Sequence, residues 1–430
     1  MVGGQLRADP YERRVVDDEL DELCAGAAAI ALEGAKAVGK STTAAERARA
    51  VFPLEDPTVR DIVAAAPERL LTDGPVLIDE WQKLPSTWDV VRRAVDDGAA
   101  PGQFLLTGSA SEANPGTHSG AGRILSVRMR PLSLAERHLA EPTVPLQHLL
   151  GGGRPPVAGR SPVALDGYVH EIVASGFPGI RAMPGRVRRA QLRGYVDRVI
   201  DRDFPEYGRP VRNPAALRRW LAAYAAATAT AASYETIREA ATSGQGEKPS
   251  KTTTLPYRDT LERLYVLDPL PAWLPTGGHL GELGAAPKHH LVDPALATTV
   301  LGLGPDALLS GDEGSVRIPR DGTFLGGLFE SLVALSTRIY AQAAEATVSH
   351  LRSHRGAHEV DLIVERDDGR VVALEVKLGG TVRHDDVKHL RWLGERLGDR
   401  LLDAVVITTG PEAYRRPDGV AVVPAALLGP

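Results

Sequence analysis

Cysteine is almost absent from this chain of 430 residues, because Cys24 is the only one. A single cysteine excludes an intrachain disulfide and a zinc site built from several cysteines. Long apolar runs are also missing, since no stretch approaches the ~18 apolar residues of a membrane-spanning helix. The chain begins with polar, charged sequence and shows no secretory signal. These absences predict a cytoplasmic protein without a membrane-spanning helix.

Lysine is scarce as well, because the 50 basic residues comprise 42 arginines and only eight lysines. A chain that uses arginine by default is expected to place lysine where a compact ammonium is required. Two of the eight, Lys40 and Lys377, lie in the two strongest motifs. The net charge of -5 argues against a globally basic coat, yet residues 181–219 hold eleven arginines and four acids. Such a stretch is typical either of a surface that follows phosphates or of a solvated helical face with internal ion pairs.

Apolar runs alternate with helical patterns in the first third of the chain. Strands are predicted at residues 27–33, 74–78 and 103–107, and helices are predicted from about Lys40 and over 88–97. Strands that alternate with helices predict a parallel sheet that is covered on both faces. The beginning of the chain is therefore expected to form an α/β domain.

The composition changes at residues 151–156, where glycine and proline indicate a linker. Helical periodicity then dominates to about residue 264. The end of the chain has the predicted order helix, three strands, helix and strand. A chain of this length is too long for one core. We therefore expect three domains, at 1–150, 151–310 and 311–430.

A glycine-rich turn after the first predicted strand matches G-x-x-x-x-G-K-[ST] at every fixed position. Its glycines permit a tight loop whose amides converge on phosphate oxygens. Lys40 is placed to reach the β- and γ-phosphates, and Ser41 is placed to ligate magnesium. The motif predicts that ATP and Mg²⁺ are bound by Gly34, Ala35, Lys36, Ala37, Val38, Gly39, Lys40, Ser41 and Thr42.

Two adjacent carboxylates end the second predicted strand. In P-loop NTPases an acid at such a strand end holds magnesium, and Asp79 fits that role. Glu80 is then placed to polarise the attacking water as a general base. A surface loop that merely begins with two acids would not explain why a buried strand stops on them. The pair favours hydrolysis of ATP over binding alone. It also disfavours a P-loop kinase, because a base aimed at water would waste ATP.

Polar residues also follow the third predicted strand. Thr107 or Ser109 is a candidate to sense the γ-phosphate or to orient water, and Thr107 is assigned to the nucleotide site. An arginine is expected to neutralise charge in the transition state. The candidates are Arg123, Arg128 and Arg130, and of these Arg123 is assigned to the nucleotide site. An arginine from a neighbouring subunit predicts a homo-oligomer, such as a ring, whereas one from the same chain needs no partner.

Seven short motifs are spread over nearly the whole chain. They are VGKS at 38–41, LIDEWQKLP at 77–85, LTGS at 106–109, RPLSLAE at 130–136, SGFP at 175–178, DRD at 201–203 and LVDP at 291–294. Together they resemble the prokaryotic AAA+-type ATPases that carry a C-terminal domain of unknown function 4143. The chain departs from that family at 35–37, where Ala-Lys-Ala replaces the usual Pro-Arg-Gln, and at Ser41, where threonine is common. Neither change removes a group that binds phosphate or metal.

Residues 230–272 also resemble the winged-helix-like segment of that family, with a helix, a polar turn and a second helix. Such a fold can place a helix in the major groove of DNA. It serves equally often as a protein-interaction module. The resemblance therefore leaves both DNA and protein open as partners of this segment.

Two alternating runs at 358–365 and 370–377 flank an Asp-Asp-Gly turn signal and predict a β-hairpin. With those three residues as the loop, Asp361 lies directly opposite Glu375. Lys377 follows two residues after Glu375, and side chains two apart on a strand share a face. The hairpin is therefore expected to gather two carboxylates and an ammonium on one face.

Such a cluster can serve as a magnesium-dependent phosphodiesterase site, in which acids bind the metal and a lysine positions or activates water. The pattern of Asp361, Glu375 and Lys377 resembles the PD-(D/E)xK nuclease motif, and Glu330 matches an additional acidic position of that family. The resemblance implies catalysis by the first three residues and metal binding by Asp361, Glu375 and Glu330. The alternative is a degenerate nuclease-like domain with cross-strand ion pairs only. Weaker candidates for phosphate contact are His354, Arg355, His384 and His389.

These features predict an α/β P-loop ATPase with a parallel sheet, then a helical region with a winged-helix-like unit, then an α/β nuclease-like domain. The leading hypothesis is a Mg²⁺-dependent ATPase whose ATP state drives or gates the binding or remodelling of DNA, with nuclease activity as a further possibility. The rival hypothesis is an ATP-dependent switch that binds a protein partner, with a degenerate nuclease-like domain.

Overall fold

A computed structural model describes residues 11–109, 121–207, 213–242, 251–274, 286–353 and 356–430. The chain divides into two compact units, Met1–Gly34 with Gly39–Met129, and Ala35–Val38 with Arg130–Pro430. The helical middle and the terminal sheet thus share one unit, and the three-domain division stays a prediction. Within the described residues, no helix is both long and apolar enough to cross a bilayer.

The first unit alternates helices and strands. Its elements are α1 (Val16–Gly26), β1 (Ala29–Glu33), α2 (Lys40–Ala45), β2 (Ala50–Pro53), α3 (Pro57–Ala65), β3 (Val76–Asp79), α4 (Ser86–Asp96), β4 (Phe104–Gly108) and β5 (Leu125–Arg128). All five strands pair in parallel, in the order β2-β3-β4-β1-β5. The predicted α/β parallel sheet is confirmed.

The three strands predicted from the sequence are the central ones of this sheet. β1, β3 and β4 are buried almost throughout, which explains their continuous apolar runs. β2 and β5 lie at the two edges and are partly exposed, so they lack such a run. The core beside the sheet contains Trp81, Trp88 and Phe104. Because the strands are parallel, their carboxyl ends meet at one edge of the sheet, where ligands bind in folds of this kind.

The second unit begins with short strands and a helical region. These elements are β6 (Val144–Pro145), α5 (Leu146–Leu150), β7 (Gly159–Arg160), α6 (Leu165–Ala174), α7 (Pro178–Arg181), α8 (Gly185–Arg198), α9 (Phe204–Tyr207), α10 (Pro214–Ala226), α11 (Tyr234–Ala240), α12 (Lys251–Arg263), α13 (Pro294–Leu301) and α14 (Pro305–Leu309). Side chains cap several helices, as Asn213 does for α10 and Ser233 for α11.

Three of the short sequence motifs meet inside the second unit. Asp293 caps α13 and also accepts hydrogen bonds from Ser175 Oγ and the Gly176 amide, both at 2.7 Å. The Leu132 amide donates to the Gly176 carbonyl at 2.7 Å. A Cβ on Gly176 would lie 2.9 Å from the Leu132 backbone, so only glycine permits this approach. These motifs therefore hold the unit together.

The segment that resembles a winged helix contains α11 and α12, followed by an antiparallel pair. Leu267 bridges Leu291, and Leu270 bridges Lys288. Most of the predicted polar turn, residues 243–250, lies outside the described residues. The two helices agree with the expectation, the strand pair was not predicted, and the winged-helix assignment stays a prediction.

The terminal part of the second unit forms a mixed sheet. Its elements are α15 (Phe324–Ala343), β8 (Thr347–Arg352), β9 (Glu359–Glu365), β10 (Val371–Lys377), α16 (Lys388–Leu397), β11 (Leu401–Thr408), β12 (Glu412–Arg415), β13 (Ala421–Pro424) and β14 (Leu428–Gly429). Seven strands pair in the order β7-β12-β13-β11-β10-β9-β8, and β14 pairs with β6. The predicted order of helix, three strands, helix and strand is confirmed, whereas β12 and β13 were not predicted.

The β9–β10 hairpin has the register expected from its turn. Leu374 pairs with Leu362 and Val371 with Glu365, and the Arg366 amide donates to the carbonyl of Arg370. The next pair in this register is Asp361 with Glu375. Register matters here because a slip of one residue between the two strands would place the two carboxylates on opposite faces of the sheet.

Candidate functional site

The glycine-rich turn joins the carboxyl end of β1 to the first residue of α2. Ala37 and Gly39 adopt left-handed backbone conformations, with φ of 67° and 103°. These conformations let the turn fold back on itself. The buried Lys40 ammonium then donates a hydrogen bond to the Gly34 carbonyl at 2.9 Å. The Lys40 ammonium is therefore held at the start of the turn, against the backbone of Gly34.

The two predicted magnesium ligands lie in direct contact. Ser41 Oγ donates to Asp79 Oδ1 at 2.6 Å, and Thr107 Oγ1 donates to the same oxygen. Thr107 reaches Asp79 because β4 pairs with β3 in a register that sets these two residues side by side. Hydroxyl and carboxylate oxygens are the ligands that Mg²⁺ prefers. The chemistry of this donor set fits a magnesium ion.

Glu80 is held by groups from two directions. Its carboxylate oxygen Oε2 accepts a hydrogen bond from Ser109 Oγ at 3.0 Å and another from Gln82 Nε2. Its amide faces Thr107 Oγ1 at 3.3 Å. Glu80 also has a left-handed backbone with φ of 54°, a strained conformation that is common at functional sites. The carboxylate is thus fixed in position directly after the metal-binding acid.

The polar residues at the end of β4, Thr107 and Ser109, therefore have separate partners. Thr107 contacts Asp79, and Ser109 contacts Glu80. The sequence left both residues as alternatives for one role. It also missed Gln82, although Gln82 follows Glu80 by only two positions. A polar side chain so close to a predicted base was the available signal.

The three predicted arginines have different neighbours. Arg123 forms an ion pair with Asp96 at the end of α4, at 2.7 Å. In the second unit, Arg130 pairs with Asp268 at 2.9 Å. Arg128 lies at the end of β5, in register with Glu33. The assignment of Arg123 to the nucleotide, and of any arginine to the transition state, stays a prediction.

Two further nucleotide candidates flank the buried lysine of the turn. Thr42 is exposed on α2. Residues 35–38 group with the second unit, where Lys36 Nζ lies 2.7 Å from Asp203 Oδ1. The side chain of Lys36 is therefore directed to an acid, and its backbone amide is the group that remains relevant to phosphate.

The terminal carboxylates come together as the hairpin register requires. Asp361 and Glu375 are both buried. Lys377 Nζ donates to Glu375 Oε1 at 2.7 Å, and the Val376 amide donates to Asp361 Oδ2 at 2.9 Å. These groups line a cavity of about 860 Å³ together with Glu330 on α15. Of the weaker candidates, His389 lines this cavity, His384 bonds Arg391, and His354 and Arg355 lie outside the described residues.

A second lysine occupies the centre of this cluster. Lys288 Nζ lies 2.9 Å from Glu330 Oε1, 2.9 Å from Glu359 Oε1 and 2.8 Å from Asp361 Oδ1. Its side chain is 1% exposed. Among the described residues, no group of three or more His, Cys, Asp or Glu side chains could hold a metal ion. The metal site predicted at Glu330, Asp361 and Glu375 stays a prediction, and the Lys288 ammonium contacts two of these three acids.

Burial and close charges shift the pKa values of this cluster. Burial alone would lower the pKa of Lys288, but Asp361, Glu330 and Glu359 raise it well above its usual value. Burial would raise the pKa of Asp361, yet Lys288 and Lys377 lower it. Burial and the charge of Asp361 raise the pKa of Glu375 to about 8. Burial and the charge of Asp361 also raise the pKa of Glu330, to about 8. The cluster therefore favours the ionised forms of Lys288 and Asp361 and the protonated forms of Glu330 and Glu375.

Sequence reasoning missed Lys288, although a signal existed. The scarcity of lysine had pointed to Lys40 and Lys377, and Lys288 is another of the eight. It lies 42 residues before Glu330 and 73 before Asp361. No local pattern reveals a contact over such a separation.

Three segments of the chain match known family models. Residues 27–138 match an AAA domain, 165–307 a domain of unknown function (DUF8612) and 325–428 a domain of unknown function (DUF4143). The segment that is similar to an AAA domain contains the phosphate turn and the Asp79–Glu80 pair, which supports the predicted P-loop ATPase. The expected C-terminal DUF4143 is also confirmed, whereas the PD-(D/E)xK nuclease ending is not shown.

Uncharacterized proteins of Mycobacterium bovis and Mycobacterium tuberculosis are similar over nearly the full length. Each is 26% identical over 425 residues, covering 96% of this chain and 84% of the relative. Among solved structures, a Walker-type ATPase of Pyrococcus abyssi is similar with a TM-score of 0.37 and 13% identity, over 68% of this chain and 97% of that one.

Proposed function

We propose that the first unit hydrolyses ATP with Mg²⁺ and that Glu80 is its general base. The observation that carries this proposal is the pair of fixed carboxylates at the end of β3. Asp79 contacts the hydroxyl of Ser41, which lies in the first turn of α2, while Glu80 is held by Ser109 and Gln82. One acid is thus directed to the metal ligand, and the next is separately oriented.

Each residue then has a distinct task. The amides of residues 34–39 and the Lys40 ammonium bind phosphate oxygens, and Ser41 and Asp79 supply oxygen ligands. Magnesium, when bound with ATP, neutralises charge on the phosphates. Glu80 accepts a proton from the attacking water. Ser109 and Gln82 keep the Glu80 carboxylate aligned during that transfer.

Substitution of the base tests this proposal. Glu80→Gln keeps the shape of the side chain but cannot accept the proton, so kcat should fall about 100- to 10,000-fold. The Kd for Mg-ATP should stay within about twofold, since no binding group is removed. Glu68→Gln, at an exposed position of the same unit, is the matched control. Normal turnover by Glu80→Gln would show that another group is the base.

A second proposal concerns action on DNA, and one surface supports it. Arg186, Arg189 and Arg193 are exposed on α8 at spacings of three and four, so they share one face. In the described part of the chain, none of the three forms an ion pair with an acid. Other arginines of the stretch are paired, as Arg181 and Arg218 show. We propose that this face follows phosphates and that ATP state gates the contact.

The matched experiment compares arginines without and with an acidic partner. Replacing Arg186, Arg189 and Arg193 by alanine should weaken DNA binding and reduce the salt slope by about 0.9 for each phosphate that is no longer neutralised. Arg218→Ala, which removes an arginine engaged by two acids, should leave the slope unchanged. If neither DNA binding nor ATP turnover responds to any DNA structure, the rival switch with a protein partner becomes the better proposal.

A further inference from the structure

The terminal cluster saturates the hydrogen-bonding capacity of one buried ammonium. A lysine side chain has three N–H donors and no acceptor. Lys288 has three carboxylates within 2.9 Å, from Glu330 on α15 and from Glu359 and Asp361 on β9. Each donor can therefore face one acid. The ammonium lies among the acids as a bound cation would.

The backbone of Lys288 is anchored outside the sheet. Its amide donates to the Leu270 carbonyl at 3.0 Å, and its carbonyl accepts from the Leu270 amide at 2.9 Å. The next residue, His289, bonds the Ala232 carbonyl through its ring at 2.7 Å. Because both the lysine and its neighbour are fixed by separate partners, the backbone keeps the lysine side chain within reach of the three acids.

Two further oxygens of the cluster are engaged, whereas the buried Glu375 Oε2 has no hydrogen-bond partner among the described residues. Asp361 Oδ2 accepts from the Val376 amide, and Glu375 Oε1 accepts from Lys377. A magnesium ion needs about six ligands in near-octahedral geometry. To bind here, it would have to displace a buried ammonium and compete with an amide. The residues present therefore do not fit the metal that the nuclease resemblance implies.

We propose that Lys288 is a built-in substitute for a divalent cation in the terminal cavity. The cluster takes no metal of its own, and the nuclease-like part of the chain does not cleave phosphodiester bonds by a metal-dependent route. This inference is independent of the nucleotide site, because its tests use no ATP.

The first test measures metal binding in the full chain. Asp79→Asn weakens the magnesium site of the first unit, and Mn²⁺ is then titrated without nucleotide and followed by electron paramagnetic resonance. We expect the same Mn²⁺ binding curve in the Asp79→Asn variant and in a double variant that also carries Asp361→Asn, because Asp361 holds no metal. A site present in the single variant and absent from the double variant would overturn the proposal.

The second test removes the ammonium. Lys288→Met keeps the length of the side chain and leaves the acids without their cation, so Mn²⁺ should now raise the midpoint of thermal unfolding, by on the order of 5 °C. Lys388→Met changes an exposed lysine at the rim of the same cavity and should show no such gain. A folded Lys288→Met chain that Mn²⁺ does not stabilise would contradict the substitution. If that variant does not fold, the Mn²⁺ titration decides alone.

Discussion

The two carboxylate sites of this chain differ in what neutralises them. In the first unit, neutral hydroxyls of Ser41 and Thr107 contact Asp79. In the second unit, the ammonium of Lys288 contacts Asp361 and two further acids. A metal ion can bind Asp79 beside the neutral hydroxyls. To bind Asp361, it would have to displace the Lys288 ammonium, which carries charge of the same sign. On the proposed functions, similar acids therefore serve a metal site in one unit and an internal ion cluster in the other.

The largest expected effect comes from substituting one aspartate in each of the two sites. Asp79→Asn should lower magnesium-dependent ATP turnover on the order of 1,000-fold, because it removes a metal ligand. Asp361→Asn should change turnover by less than about twofold, since its oxygens serve Lys288 and a backbone amide. Steady-state phosphate release with and without a chelator measures both. Equal losses in the two variants would show that the sites are not chemically distinct.

The acidic side chain with the raised pKa gives the next effect. Burial and the charge of Asp361 raise the pKa of Glu375 from 4.5 to about 8 in the folded chain. The folded state therefore favours the protonated form, and this stabilisation disappears as the pH rises to 8 and above. Between pH 6 and pH 8 the free energy of unfolding should fall by roughly 1.4 kcal/mol per pH unit from this group.

Glu375→Gln should remove the part of this pH dependence that comes from Glu375, because the amide stays neutral, whereas Glu330, whose pKa burial and Asp361 also raise to about 8, keeps its own part. Urea unfolding of the second unit at several pH values measures the slope. Glu412→Gln, at an exposed position of the same sheet, should keep the slope of the parent chain. An unchanged slope in Glu375→Gln would assign the pH dependence to another group.

Lysine substitutions sharpen the comparison at the level of binding. Lys40→Ala should weaken ATP binding roughly 100-fold, because a hydrogen bond to a charged group contributes ~1.5–3 kcal/mol. Lys388→Ala should leave the affinity unchanged. Isothermal titration with a non-hydrolysable nucleotide checks both. Retention of full affinity by Lys40→Ala would contradict the role of the turn.

The smallest effect concerns the alignment of the base. Ser109→Ala removes a hydrogen bond to Glu80 and should lower kcat by about tenfold, equivalent to ~1.4 kcal/mol. The Kd for ATP should not change, and Ser109→Thr should restore part of the rate. A rise in Kd without a fall in kcat would place Ser109 in nucleotide binding instead.

Contiguous patterns explain which parts of this architecture the sequence predicts. The phosphate turn and Asp79 lie at the ends of apolar runs, so short windows reveal them. The hairpin register follows from one turn, which sets Asp361 opposite Glu375. The edge strands β2 and β5 were missed, because partial exposure removes the apolar run that marks a buried strand.

Contacts between distant residues explain what the sequence did not predict. Lys288 contacts the hairpin from a segment that pairs with Leu270. This segment lies far from the hairpin along the chain. Without that contact, the acids of β9 and β10 match a metal-binding pattern. The pattern of acids on β9 and β10 is therefore compatible with a metal site or with an ion cluster. The position of Lys288, which only the fold reveals, distinguishes the two.

The burial of Lys288 also makes it a reporter of motion. Reagents that modify lysine require a neutral, accessible amine, and this side chain is 1% exposed and held by three acids. Its modification should therefore proceed only through transient opening of the terminal sheet, at a rate set by the free energy of that opening. Mass spectrometry of labelled peptides would then follow local unfolding in this unit. The exposed Lys388 would give the reference rate for modification of an accessible lysine.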